Sequence, residues 1–111
     1  MDTLEAYRQT IQNILTQHAN IPYAYGEIYN QTIFHHQQDN YILLAIGWHQ
    51  QKRIYHSIVH TDIINGKIWI QIDETEQGIA NELVKAGIPK NKIVLGFHPL
   101  KIRQHTGFAV E

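Results

Sequence analysis

Residues 62–71 read Asp62-Ile63-Ile64-Asn65-Gly66-Lys67-Ile68-Trp69-Ile70-Gln71 and carry the strongest local signal in the chain. Asn65-Gly66 lies between two β-type runs, and Asn and Gly tolerate the positive φ that a type I′ turn requires at both central positions. The return strand is expected over 67–72, with Ile68, Ile70 and Ile72 on one face and Trp69 on the other. The stretch therefore predicts a tight β-hairpin.

Three β segments are expected upstream of this turn. Residues 27–35 alternate in polarity, residues 41–48 form an apolar run, and residues 53–63 alternate with many β-branched side chains. The apolar run is typical of a central strand that is covered on both faces. Polar turns at 36–40 and 49–52 separate the segments, which indicates a four-stranded antiparallel meander.

Helical patterns flank the meander. Residues 3–19 carry an apolar stripe at spacings of three and four, with Asp2 and Glu5 as a capping pair and Pro22 beyond the end. A second helix is expected over 79–86, where the acids of 73–76 supply its N-cap and Gly87 ends it. A short strand over 93–95, a helical turn over 99–104 and an apolar tail that packs or pairs with a neighbour complete the order.

The resulting prediction is one α+β domain over residues 1–111. It has an N-terminal helix, a four-stranded antiparallel meander with a second helix packed on one face, and a short C-terminal strand and helical turn. Hydrophobic residues make up 43% and charged residues 17% of the chain, which suits a single packed core.

Charge and composition narrow the function classes. Nine Lys and Arg against ten Asp and Glu give a net charge of −1 without a basic cluster, which does not favour direct DNA binding. The absence of cysteine excludes disulfides, thiolate metal sites and cysteine nucleophiles. The N-terminal residues lack a signal-peptide pattern and no apolar run has membrane-spanning length, so a cytoplasmic protein without membrane contact is expected.

Eight histidines raise the question of a metal site. His56 and His60 are expected to share a strand face but to lie roughly 13 Å apart, too far for one ion. His35 and His36 are adjacent and point to opposite faces, while His98 and His105 flank the turn at Pro99. No specific metal site is predicted.

No catalytic constellation is visible either. Ser57 is the only serine, and its neighbour His56 is expected on the opposite face of the strand, so the two side chains do not pair. Helix capping explains the acids Asp73, Glu74 and Glu76 better than paired acid–base catalysis does. The glycines are isolated from one another and form no phosphate-binding loop. The chain is therefore expected to be no enzyme, with no catalytic residues and no cofactor.

Aromatic residues offer a surface of a different kind. Trp48, Trp69, Tyr55 and Tyr41 are candidates to line one side of the meander, as core, as an interface or as a platform for stacked bases. Trp, Tyr and Arg are the residue types that dominate protein–protein hot spots, which adds Arg53 to the set. Because Trp69 alternates with Ile68 and Ile70, it is expected on the face away from the helices.

The chain closely resembles the XisI family along nearly its whole length. The resemblance begins in the 62–71 hairpin and upstream includes Tyr7, Gly47-Trp48 and Arg53. Downstream it covers Asp73, Thr75-Glu76, Gly78-Ile79-Ala80, Leu83-Val84, Ala86-Gly87-Ile88-Pro89, Ile93-Val94-Leu95-Gly96-Phe97, Arg103 and Thr106-Gly107-Phe108-Ala109-Val110. His105 departs from the pattern, since the family usually carries an aromatic residue there.

The resemblance implies a cyanobacterial-type factor that controls excision of the fdxN DNA element in heterocyst differentiation, beside a separate recombinase. XisI-type proteins are paired with XisH, which looks nuclease-like. The family has no established catalytic residues, so the resemblance implies none for this chain. The expected function is thus a non-catalytic accessory factor acting through protein contacts with an XisH-like partner. Its expected contact face surrounds Trp48, Arg53, Trp69 and Arg103, and homo-oligomerisation is left open. The alternatives are a DNA-binding recombination directionality factor and, more remotely, an enzyme acting on nucleic acid.

Overall fold

Five strands form one sheet in the computed structural model of the chain, which describes residues 3–23 and 26–111. The strand order is β1 to β5, the first four strands run antiparallel, and β5 joins β4 in parallel. The elements are α1 (Thr3–Ala19), β1 (Glu27–His35), β2 (Asn40–His49), β3 (Lys52–Ile64), β4 (Lys67–Asp73), α2 (Ile79–Lys85), a 3-10 turn (Lys90–Lys92), β5 (Ile93–Leu95) and α3 (Leu100–Arg103). The predicted α+β class is confirmed, and each predicted strand boundary lies within one residue of the observed one.

The hairpin turn between β3 and β4 has the predicted backbone. Asn65 has φ of 51° and Gly66 has φ of 78°, so both central residues adopt the positive φ of a type I′ turn. The two upstream hairpins use the same region of backbone space, at Asp39 with φ of 54° and at Gln50 with φ of 58°. Residues 26–73 therefore form the expected meander.

The hydrophobic core lies between the sheet and the two longer helices. Ile11 and Leu15 of α1 and Leu83 of α2 are at most 1% exposed, and they meet Ile68 and Ile70 of β4, which are both 0% exposed. Nε2 of His18 lies 2.7 Å from a carboxylate oxygen of Glu82 and joins the helices at their edge. The predicted Asp2–Glu5 capping pair lies outside the described residues, because Asp2 is not among them.

Two β-bulges change which side chains share a face. The first inserts Ile58 into β3, so that His56 pairs with Ala45 while His60 pairs with Ile42. The two histidines therefore lie on opposite faces, and the prediction that they share one is wrong. The second inserts Gln71 into β4 and pairs Ile72 with His60, which moves Ile72 off the buried face that Ile68 and Ile70 occupy.

The start of α2 also differs from the prediction. The helix begins at Ile79, and Gly78 at the N-cap position makes no side-chain cap. Asp73 instead reaches forward from the end of β4: one carboxylate oxygen accepts the Ile79 N–H at 2.6 Å, and the other accepts from the Thr75 amide at 2.9 Å. Only one of the three predicted capping acids therefore serves the helix, from six residues upstream.

The two longer helices, α1 and α2, cover one face of the sheet only. Leu44 and Ile46 of β2 are 7% and 8% exposed, but on the face away from α1 and α2 the burial comes from neighbouring strand side chains. The expected burial of β2 on both faces is confirmed, although α1 and α2 supply it on one face only. The apolar tail does pair as predicted, through a parallel bridge between Val94 and Ala109. No helix in the described ranges is long and apolar enough to cross a membrane.

Candidate protein-contact surfaces

The face of strands β1 to β3 that points away from α1 and α2 exposes several large apolar side chains, and we call it the open face. Cross-strand pairing places its members, because directly opposed residues of antiparallel strands share a face. The open face comprises Glu27, Tyr29, Gln31, Ile33, His35, Asn40, Ile42, Leu44, Ile46, Trp48, Arg53, Tyr55, Ser57, His60 and Asp62.

Large side chains on the open face are in contact with solvent. Tyr55 is 63% exposed, Tyr29 58%, Trp48 48% and Ile33 41%, although aromatic and β-branched side chains of this size gain most from burial. The acidic and basic members lie near the two ends of the strands, with Glu27 and Arg53 at one end and His35, His60 and Asp62 at the other. The side chains between them are uncharged. An uncharged, aromatic sheet surface with a polar rim is typical of a protein-contact site.

Trp48 and Arg53 form a unit at one end of the open face. The two residues are cross-strand partners, and the guanidinium carbon of Arg53 lies 5.2 Å from the centroid of the Trp48 ring. Arg53 also donates from Nη1 to the Gly47 carbonyl at 3.3 Å. The cation–π contact and this hydrogen bond hold the arginine in place over the indole.

A polar network occupies the opposite end of the open face. One carboxylate oxygen of Asp62 accepts from the Asn40 amide at 2.7 Å and lies 2.9 Å from His60 Nε2, while the other accepts from the Gln71 amide at 3.2 Å. The Asp62 side chain is only 16% exposed. These contacts fix a negative charge at this end of the sheet.

Trp69 and Arg103 lie elsewhere, beside the C-terminal segment. The Arg103 guanidinium carbon lies 5.4 Å from the Trp69 centroid, and Arg103 donates to the carbonyl oxygens of His98 at 3.0 Å and Val110 at 2.7 Å. The pair borders a groove of about 510 Å³, which we call the C-terminal groove and which is lined by Ile64, Lys67, Trp69, Leu100, Arg103 and Glu111. Lys67 Nζ donates to the Glu111 carbonyl across it.

The four residues predicted to form one contact face therefore form two pairs. Arg53 and its partner Trp48 on β2 are at one end of β3, whereas Trp69 on β4 lies opposite Asp62 at the other end of β3, on the same face of the sheet. Tyr41 does not line this side at all: it is 0% exposed on the helix-facing side, and its ring centroid lies 5.8 Å from that of Phe34. The grouping of Tyr41 with the two tryptophans is wrong, because the Tyr41 side chain lies on the opposite face of the sheet.

Tyr41 instead belongs to a charged cluster that the sequence patterns did not indicate. Arg8 donates from Nε and Nη2 to the two carboxylate oxygens of Asp39 at 2.7 and 3.2 Å, and the Tyr41 hydroxyl donates to Asp39 at 3.0 Å. The hydrogen bond from Arg8 is the main reason that the pKa of Asp39 is lowered. Burial, followed by the bond to Asp39, raises the pKa of Tyr41 to about 12. The cluster fastens α1 to the first hairpin turn.

Ionisable groups elsewhere occur as pairs. His18 with Glu82, His56 with Glu74 and His60 with Asp62 are separated by 2.7, 3.3 and 2.9 Å. Within residues 3–23 and 26–111 no group of three His, Asp or Glu side chains is arranged to hold a metal ion. Ser57 pairs with Leu44 across β2 and β3, on the face opposite to His56. The described side chains with the clearest potential for binding are therefore those of the open face and the C-terminal groove.

Comparison with known proteins places the chain. The model of the family described as XisI protein matches residues 1–110. A crystal structure of a XisI-like protein from Anabaena variabilis ATCC 29413 superposes with a TM-score of 0.91 at 33% identity, over 98% of this chain and 100% of that one. The fdxN element excision controlling factor XisI from the same organism gives a TM-score of 0.86 at 39% identity, over 99% and 100% of the two chains. No curated protein sequence matches the chain. The whole-length match to the family model and to both crystal structures shows that this chain belongs to the XisI protein family.

Proposed function

We propose that the chain is a non-catalytic cytoplasmic factor that controls programmed excision of a DNA element of the fdxN type through protein contacts, with an XisH-like protein as its partner. A solved relative that is 39% identical over 99% of the chain is named as the fdxN element excision controlling factor. That likeness supports the biological setting. The manner of action follows from the surfaces that the chain offers.

The observation that carries the proposal is the construction of the C-terminal groove. Leu100 and Ile64 on its rim are 49% and 41% exposed. Beside them, Arg103 stacks on Trp69 and is held by its hydrogen bonds to two backbone carbonyls. Preordered Trp and Arg side chains next to exposed aliphatic groups are the usual components of a protein-binding hot spot. A partner that inserts an apolar side chain there loses little conformational entropy on binding, because the side chains of the site are already ordered.

The distribution of basic side chains argues against duplex DNA as the main partner. Arg8 is held by Asp39, Arg53 by Trp48 and the Gly47 carbonyl, and Arg103 by two carbonyls and Trp69. Duplex binding rests on several Lys and Arg side chains that neutralise neighbouring phosphates. The three arginines lie on separate elements and contact groups within the chain, so they supply little of this.

The proposal is tested by size-exclusion chromatography of the chain mixed with an XisH-like protein. The wild-type mixture is expected to elute as a complex, and Leu100→Asp is expected to weaken binding by about 30-fold, since removing a hot-spot contact costs about 2 kcal/mol. Ile102→Asp is the matched control, because Ile102 lies on the same short helix, is 47% exposed and does not line the groove. A mixture without a complex, or equal losses for both variants, contradicts the proposal.

A further inference from the structure

The charged corners of the open face follow a pattern that goes beyond the proposed function. Glu27 and Arg53 flank Trp48 at one end of strands β1 to β3, and His35 and Asp62 flank Asn40 at the other. The two acids are thus diagonally opposed, and so are the two basic or hydrogen-donating residues. His35 Nδ1 accepts the Gln38 N–H at 3.1 Å, which leaves its other ring nitrogen as the donor.

This alternation makes the surface complementary to itself. When two copies stack face to face about a two-fold axis along β2, Glu27 of each copy meets Arg53 of the other, and His35 meets Asp62. When the axis crosses the strands at the level of Leu44, Glu27 meets His35 and Arg53 meets Asp62. Either arrangement places unlike groups together at all four corners, as a two-fold symmetric interface requires.

The middle of the open face suits the same contact. Leu44 pairs with Gln31 on one side and Ser57 on the other, and none of the three carries a charge, so two identical centres meet without repulsion. Stacked sheets lie about 10 Å apart with their side chains interdigitated. The exposed Tyr29, Ile33 and Tyr55 are large enough to fill such a layer.

The size of the open face is sufficient for a dimer of moderate affinity. Three strands of about nine residues cover roughly 30 by 14 Å, or roughly 420 Å² in projection. Because upright side chains raise the accessible area above the projected area, two copies bury on the order of 1,000 Å², where biological interfaces begin.

We infer that the open face binds a second copy of this chain, with the sheets packed face to face and the corners paired by unlike groups. The dimer covers the aromatic side chains that no other described segment covers, and it leaves the C-terminal groove of each copy for a different partner. The exposed position of Trp48 beside Arg53 is then explained as part of a symmetric interface.

Sedimentation velocity of the full chain over a range of concentrations tests this inference. The wild-type chain is expected to form a concentration-dependent dimer, and Tyr55→Asp and Ile33→Asp are each expected to raise the dissociation constant about tenfold or more, since each buries a carboxylate in the apolar middle. Ile102→Asp is the control, because Ile102 is 47% exposed and lies outside both the open face and the C-terminal groove, so the same added charge is expected to leave the dimer intact. Circular dichroism confirms that each variant is folded.

A second arm tests the corners. Arg53→Glu places an acid against Asp62 or Glu27 of the other copy in either arrangement, so it is expected to weaken the dimer more at low salt than at high salt, whereas Arg53→Gln has a smaller and less salt-dependent effect. A wild-type chain that stays monomeric overturns the inference. A dimer that survives both Tyr55→Asp and Ile33→Asp also overturns it. So does a monomeric chain in which Tyr55→Asp abolishes binding of an XisH-like protein, because the open face would then bind that protein and not a second copy.

Discussion

Gly47 is the residue whose importance is least visible in the sequence. It lies in the middle of an apolar run, yet its φ is 151°, and an added Cβ would lie 1.9 Å from the Glu27 carbonyl oxygen on the neighbouring strand. The Asn65-Gly66 turn could be predicted because its residue types determine a local backbone conformation. The requirement at Gly47 could not, since it depends on how closely β1 approaches β2.

Gly47→Ala is therefore expected to destabilise the chain by about 2–3 kcal/mol, because the methyl group has to displace the backbone of β1. The measurement is the free energy of unfolding by chemical denaturation. Gly87→Ala is the control: Gly87 also has positive φ, at 101°, but nothing lies within 4 Å of the added Cβ, so only backbone strain of about 1 kcal/mol is expected. Equal losses for the two variants would show that the close approach is unimportant.

The buried Tyr41 hydroxyl predicts a loss of stability in alkali. Its pKa is raised to about 12 in the folded chain, against about 10 for an ordinary tyrosine, so unfolding favours release of the proton. The stabilisation is complete below pH 10 and is lost as the pH rises towards 12.

Tyr41→Phe removes this titration. We expect the wild-type chain to be more stable than the variant by about 1 kcal/mol at neutral pH, owing to the hydrogen bond with Asp39, and this advantage to shrink above pH 10. Denaturant unfolding of both chains at several pH values gives the difference. A difference that stays constant up to pH 12 would mean that the phenol does not titrate as proposed.

Element boundaries follow closely from the sequence, while the faces of the strands follow less well. Helix α1 and strands β1 and β5 begin and end where periodicity and turn residues indicate. The bulges at Ile58 and Gln71 leave no comparable signal, because an inserted residue shifts the alternation by one position and resembles ordinary irregularity. The wrong assignments of His60 and Ile72 both result from these two insertions.

The junction between α1 and β1 depends on Asn30. Its side-chain amide lies 3.4, 3.4 and 3.5 Å from the carbonyl oxygens of His18, Ala19 and Ile21, so it donates to the carboxyl end of the helix. Such carbonyls have no partner within the helix and form the negative end of its dipole.

Asn30→Asp is expected to cost about 2 kcal/mol of unfolding free energy, since it replaces the donor with a negative charge beside three acceptors. Asn30→Ala removes the donor without adding charge and is expected to cost about 1 kcal/mol. Thermal or denaturant unfolding of the two variants decides the order. If aspartate is tolerated as well as alanine, the amide does not cap the helix.

The molecule as a whole is a sheet with one face packed against helices and the other face available for contact. Sequence patterns predicted the fold class and the family, and they singled out the two tryptophans and two arginines. They could not show that these residues form two separate pairs, because that division depends on the length of β3 and on where the C-terminal segment lies. The patterns did predict that the helices cover one face of the sheet, and this is confirmed for α1 and α2.

These surfaces lead to the central claim that the chain acts by binding proteins. The measurement that tests it most directly is sedimentation of the fluorescently labelled chain at low salt, mixed either with an XisH-like protein or with a DNA duplex that carries an element end. We predict that the XisH-like protein increases the sedimentation coefficient and that the duplex leaves it unchanged. An increase with the duplex, reversed by salt, and none with the protein would contradict the account.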